Sequence, residues 1–141
     1  ELVSPICHVL KNIGVKSAMV VHGENGLDEL SISGKSFVAE LSNNKIFEYE
    51  IKPEDIEIES CELEKIIGGN AKHNAIELKN LLNGTKNGYR NAVILNSAAA
   101  LKVAGIATNL IEGAEMATES IDCGKANESL KKLVEVSNSF I

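Results

Sequence analysis

ELVSPICHVLKNIGVKSAMVV, Glu1 to Val21, runs a helical pattern straight into a strand. In its first part Leu2, Ile6, Val9, Leu10 and Ile13 recur at the spacing of an amphipathic helix. Gly14 stands where a glycine ends a helix, since it enters the left-handed backbone region without a Cβ clash. "VKSAMVV" then reads as a short apolar strand covered on both faces. A helix leading into a buried strand marks an α/β unit.

Downstream lie "LDELSIS", "SFVAEL" and "KIFEYEI", three runs of strand-like length separated by Gly34 and by Ser42-Asn43-Asn44, residues that favour turns. They are expected to add antiparallel hairpins at the sheet edge, from Asp28 to Ile51. Pro53 suits the first turn of a short helical piece at "PEDIEI". From Cys61 onward the pattern is helical. Asn70 can cap and Gly84 can end a helix over "AKHNAIELKNLLNG", whose apolar stripe is Ala71, Ala75, Ile76, Leu78, Leu81 and Leu82. "GYRNAVILNSAAALKVAG" is apolar on most sides and belongs deep in the core. Asn109 with Glu112 has the spacing of a capping box ahead of "GAEMATESIDCG", and a last amphipathic helix follows Gly124. The expected fold class is α/β: a mixed sheet with a parallel strand at "SAMVV" and antiparallel edge hairpins, packed by helices.

At 141 residues the chain suits one domain, or part of one. It opens at Glu1 inside the first helical pattern, with neither an initiator Met nor a signal-type n-region, as a cut through a longer protein would. A content of 44% apolar and 24% charged residues is that of a soluble globular chain, and no apolar run approaches the roughly 20 residues of a membrane span. The three cysteines, Cys7, Cys61 and Cys123, are far apart and fit neither a disulfide framework nor a zinc site, so a reducing cytoplasm is the expected location. A net charge of −6 argues against nucleic-acid binding, which needs clustered cations to displace counterions from phosphates. Between Glu48 and Glu64 eight acids face the single base Lys52; this reads as a solvated acidic connector without the ligand spacing of a calcium site.

The sharpest chemical feature is the adjacent pair Asp28 and Glu29, inside "VVHGENGLDELS". On a regular strand neighbouring side chains point to opposite faces, but where a loop enters a strand both carboxylates can approach one ligand. A magnesium diphosphate is such a ligand, because Mg²⁺ takes oxygen donors and is held by one or two carboxylates together with substrate phosphates. The alternative is a solvent-facing Glu29 and an Asp28 that caps a turn after Gly26. His22 lies where ligands collect in α/β sheets, beyond the carboxyl end of a strand, and is a weak candidate for general acid or base against a structural role. Gly23 and Gly26 allow tight turning, though "HGENG" is neither a P-loop nor a dinucleotide fingerprint. Asn96, an amide in an otherwise apolar helix, must find partners, and a tie to a neighbouring loop is the expected one. Asn74 and Arg90 also need partners that the sequence does not name.

Four stretches in this order, "VKSAMVVHGENGLDELSISG", "GGNAKHNA", "AVILNSAAALKVAG" and "EGAEMATESIDCGKA", resemble the carboxyl-terminal half of the anthranilate phosphoribosyltransferases, over nearly all of the chain. The first and third stretches are the specific ones. The resemblance implies part of a nucleoside phosphorylase/phosphoribosyltransferase-type α/β domain over residues 1–141. It also implies a transferase that moves phosphoribosyl from phosphoribosyl diphosphate (PRPP) to anthranilate in tryptophan biosynthesis. The family's Asp-Glu pair falls on Asp28 and Glu29, implying Mg²⁺ as cofactor with these two as its ligands.

The family's amino-terminal helical domain, its Gly-Thr-Gly-Gly-Asp type diphosphate loop and its Lys-His-Gly-Asn-Arg substrate loop are absent, and "AKHNA" is no substitute. Substrate-binding residues are therefore expected upstream in a parent protein that is a homodimer through the helical domain, and this piece alone is expected to be inactive. Rival readings are a pyrimidine nucleoside phosphorylase, which uses phosphate as nucleophile and needs no acidic metal pair, and a non-enzymatic relative that binds nucleic acid or serves as a scaffold.

Overall fold

Helix α1 (Val3–Asn12) gives way at Gly14, φ 91°, to strand β1 (Ala18–Gly23), as the opening pattern predicts. In the computed structural model, which describes residues 1–139, β1 pairs with β2 (Ser36–Ser42) and β2 with β3 (Lys45–Ile51), in the order β1-β2-β3. Asn43 and Asn44 make the β2–β3 turn with φ of 50° and 61°. Positive φ at both central residues gives a turn whose twist matches its strands, and Asn tolerates that region well.

Two expectations are corrected here. Both strand pairs are antiparallel, so no parallel strand occurs among the described residues. A parallel partner needs a crossover that brings a later strand back in the same direction, and after β1 this chain supplies only reversing connections and then helices. "LDELSIS" is not a strand either: it folds as an irregular loop, although Leu30, Ser31 and Ile32 within it are buried. Alternating apolar residues there mark depth rather than strand geometry. The broader α/β class and the antiparallel edge hairpin stand.

Strand alternation gives the sheet two packed faces. Ala18, Val20, Ala39, Leu41 and Ile46 meet α1 around the buried Cys7. Met19, Val21, Val38, Tyr49 and Ile51 face the larger core, built with helices α2 (Ala71–Leu82), α3 (Gly88–Val103) and α4 (Leu110–Asp122). β1 thus packs on both sides, although Ala18 to Val21 stay half-buried. α3 buries Arg90, Ala92, Ile94, Leu95, Ala98 and Ala99, which fits its Ala-rich, all-round apolar sequence. α4 lies close against it through Gly113, where a Cβ would stand 2.8 Å from Ala98 O. The final helix, α5 (Lys125–Asn138), leans on α4 and α2 without burying a residue.

Asparagine caps three of the helices. Asn70, Asn87 and Asn109 accept the N–H groups of His73, Arg90 and Glu112. In the capping box Glu112 reaches back to the N–H of Thr108, one residue earlier than the motif predicts. Among the described residues no helix is long and apolar enough to cross a membrane.

Candidate functional site

Between β1 and β2 the chain folds into a loop whose ties leave Asp28 and Glu29 exposed. Gly23 closes its first half: its N–H donates to Leu27 O at 2.9 Å. A Cβ on Gly23 would stand 2.8 Å from Glu29 O and 2.9 Å from Leu27 Cβ, so no larger residue fits. Glu24 N–H donates to Lys35 O at 2.7 Å, and Glu24 Oε2 accepts Lys35 N–H at 3.1 Å, which joins the two ends of the loop. In the second half Ser31 N–H donates to Ser36 Oγ at 2.7 Å, and Leu30 is held by the side chain of Asn96. The two exposed acids lie between Leu27 and Leu30, both of which are tied down.

The Glu29 carboxyl is pushed above the usual carboxylate range, first by partial burial and then by the neighbouring Asp28 charge. A cation shared by the two carboxylates would relieve their mutual repulsion. Among the described residues no group of three or more His, Cys, Asp or Glu forms a self-sufficient metal cage. Two exposed hard oxygen donors on successive residues fit a Mg²⁺ that completes its shell with water and phosphate.

His22 is inside β1 rather than beyond it, in register with Phe37 and exposed on the α1 side of the sheet. Asn96 has the loop partner expected of it. Asn74 accepts the Gly69 N–H at 2.7 Å and donates to Gly69 O at 3.2 Å, which closes the "GGN" turn. Buried Arg90 donates through Nη2 to Asp122 at 2.6 Å, fastening α3 to the end of α4. From Glu54 to Glu64 the acids are exposed, as in a solvated connector.

One cluster escaped the sequence reading. Glu40 of β2 accepts both Tyr49 Oη, at 2.7 Å, and Lys102 Nζ of α3, at 2.6 Å. Burial, then Glu40, drives the Tyr49 pKa strongly upward. A charged residue on a core-facing strand position was the available signal.

With this geometry in hand, the comparisons with known proteins decide the family. The model of the α/β domain of the glycosyl transferase family matches residues 1–127. The chain belongs to that family. As a glycosyl transferase domain it is 51% identical, over 139 residues, to the anthranilate phosphoribosyltransferase of Methanobrevibacter smithii, covering 99% of this chain and 42% of that protein. The solved anthranilate phosphoribosyltransferase from Thermus thermophilus matches with a TM-score of 0.87 at 31% identity, over 95% of this chain and 39% of its own. The one from Saccharomyces cerevisiae in complex with PRPP and Mg matches with a TM-score of 0.87 at 26% identity, over 98% of this chain and 40% of its own. This glycosyl transferase domain therefore spans less than half the length of these relatives.

Proposed function

We propose that the chain is the carboxyl-terminal part of an anthranilate phosphoribosyltransferase, the enzyme that transfers phosphoribosyl from PRPP to the anthranilate amine in tryptophan biosynthesis. The observation that carries this reading is the outward-held Asp28–Glu29 pair in a chain 51% identical to a protein of that name. Asp28 and Glu29 would hold Mg²⁺, which neutralises charge gathering on the departing diphosphate and stabilises it most in the transition state.

The chain's own residues prepare that site. Gly23 and Leu27 close one side of the acid pair, Leu30 and Asn96 the other, so the carboxylates face outward before any ligand arrives. Preset donors of this kind need little reorganisation during reaction. Residues that grip PRPP and anthranilate belong to the remaining part of the cytoplasmic parent, which dimerises through its helical domain. There, holding the amine against the ribose carbon supplies much of the remaining rate.

The test is loss of anthranilate fluorescence with PRPP and Mg²⁺, using the full-length parent with and without the paired changes Asp28→Asn and Glu29→Gln. Consumption that vanishes in a folded double variant is the expected result, with none from the 141-residue chain alone. Turnover that survives both substitutions removes the acid pair from the mechanism, and no turnover by the unaltered parent removes the assignment.

A further inference from the structure

Asn96 stands within α3 among the buried residues Ala92, Leu95, Ala98 and Ala99, and its amide makes three hydrogen bonds within the protein. Oδ1 accepts the Leu30 N–H at 2.9 Å, while Nδ2 donates to Leu30 O and to Ala92 O, each at 3.0 Å. An asparagine amide offers two N–H donors and one carbonyl. Its donors are both engaged, so its business is with the protein. It grips both backbone polar groups of the residue directly after Glu29. A neighbouring strand gives its partner the same service, and here one side chain, 66 positions away in sequence, supplies it to a buried segment that has no ladder of its own.

We propose that Asn96 is a positioning residue for the Asp28–Glu29 pair, aiming the two carboxylates at a shared divalent cation; the inference rests on the metal reading given above. Gly23 fixes Leu27 on one side and Asn96 fixes Leu30 on the other, so the acids occupy the short interval between two anchors. Their repulsion favours any rotation that parts them, and the Leu30 clamp opposes it. An anchor on a packed helix holds a site more firmly than a loop can.

The test uses the full-length parent with inorganic diphosphate and Mn²⁺ as the probe, read by water-proton relaxation, and the order of the Asp28 and Glu29 amides, read by NMR relaxation. Asn96→Ala is expected to weaken Mn²⁺ binding about tenfold, the low end for partners that orient metal ligands, and to loosen both amides. Asn96→Ser, too short to hold both polar groups of Leu30, should show the same losses and serves if the alanine variant does not fold. Ile121→Ala opens a cavity in the last turn of α4, without touching the Leu30 clasp, and should leave both readouts unchanged. Equal weakening by Ile121→Ala, or full affinity and order in the Asn96 variants, overturns the proposal. If Asp28→Asn with Glu29→Gln leaves Mn²⁺ binding untouched, the metal reading falls by itself. Amide order then decides: loosening in the Asn96 variants sustains the positioning role, and retained order ends it.

Discussion

Glu29 stands beside Asp28, and partial burial, then the Asp28 charge, makes its carboxyl hold its proton to higher pH than an ordinary glutamate does. Its folded pKa lies above its unfolded value, so below the unfolded value it costs nothing. As pH rises through the folded value the unfolded chain releases the proton more readily, and stability falls. Glu29→Gln should therefore gain on the unaltered chain as pH climbs from the acidic side of the carboxylate range toward neutrality. Urea unfolding across that series checks it, and a constant difference would mean that the surroundings of Glu29 are not strained. Glu112 has the opposite sign: the Thr108 hydroxyl and N–H hold its carboxyl below the usual range, so its contribution is lost as pH falls through its folded value. Residue types at this scale were readable before the structure, because two adjacent acids and an amide in an apolar helix stand out in any alphabet. Gly23 stands out as a turn former, but its close approach to Glu29 O was hidden, since that depends on where the chain goes next.

Among the elements, α3 and α4 meet backbone to backbone at Gly113. Gly113→Ala would gain about 1 kcal/mol of helix propensity, yet the new Cβ would meet backbone atoms of Ala98 at 2.8 and 2.9 Å. Backbone cannot rotate away as a flexible side chain can, so overpacking at roughly 1–3 kcal/mol outweighs that gain. The expected result is a lower Tm. Lys102→Met tests the tie between α3 and β2: it leaves the half-buried Glu40 carboxylate with Tyr49 alone, at a cost of about 1–3 kcal/mol in chemical unfolding. An unchanged midpoint would mean that water replaces the ammonium without loss. Helices were legible because caps and stops are local: Asn70, Asn109, Gly14 and Gly84 act within a turn of their own position. The segment from Asp28 to Ile32 reads as strand in the sequence because its apolar residues reach the core by way of Asn96, and no neighbouring residue announces a partner so far along the chain.

On the scale of the whole molecule, the sheet divides two cores of unequal size, and its α1 side ends in apolar residues turned outward. Leu2, Ile6, Val9 and Ile13 form an exposed stripe along α1, with Val9 at 57% and Ile13 at 71% exposure. Patches of this kind promote association, so the isolated chain should sediment heavier as its concentration rises. Val9→Lys should suppress that while leaving stability within about 0.5 kcal/mol, as surface changes generally do; unaltered sedimentation of the variant would clear the stripe. The α/β class was legible from the first helix and strand, whereas the direction of strand pairing was not, since it depends on partners rather than on the strand itself. The Leu30–Asn96 clasp also bears on the order of folding events. The β2–β3 hairpin closes across two residues, on a scale of about 1–10 microseconds, but the clasp waits until a loop and a distant helix have met. Contacts made after the transition state leave the folding rate alone and slow only unfolding. The acids would then take their places late, on a scaffold already standing.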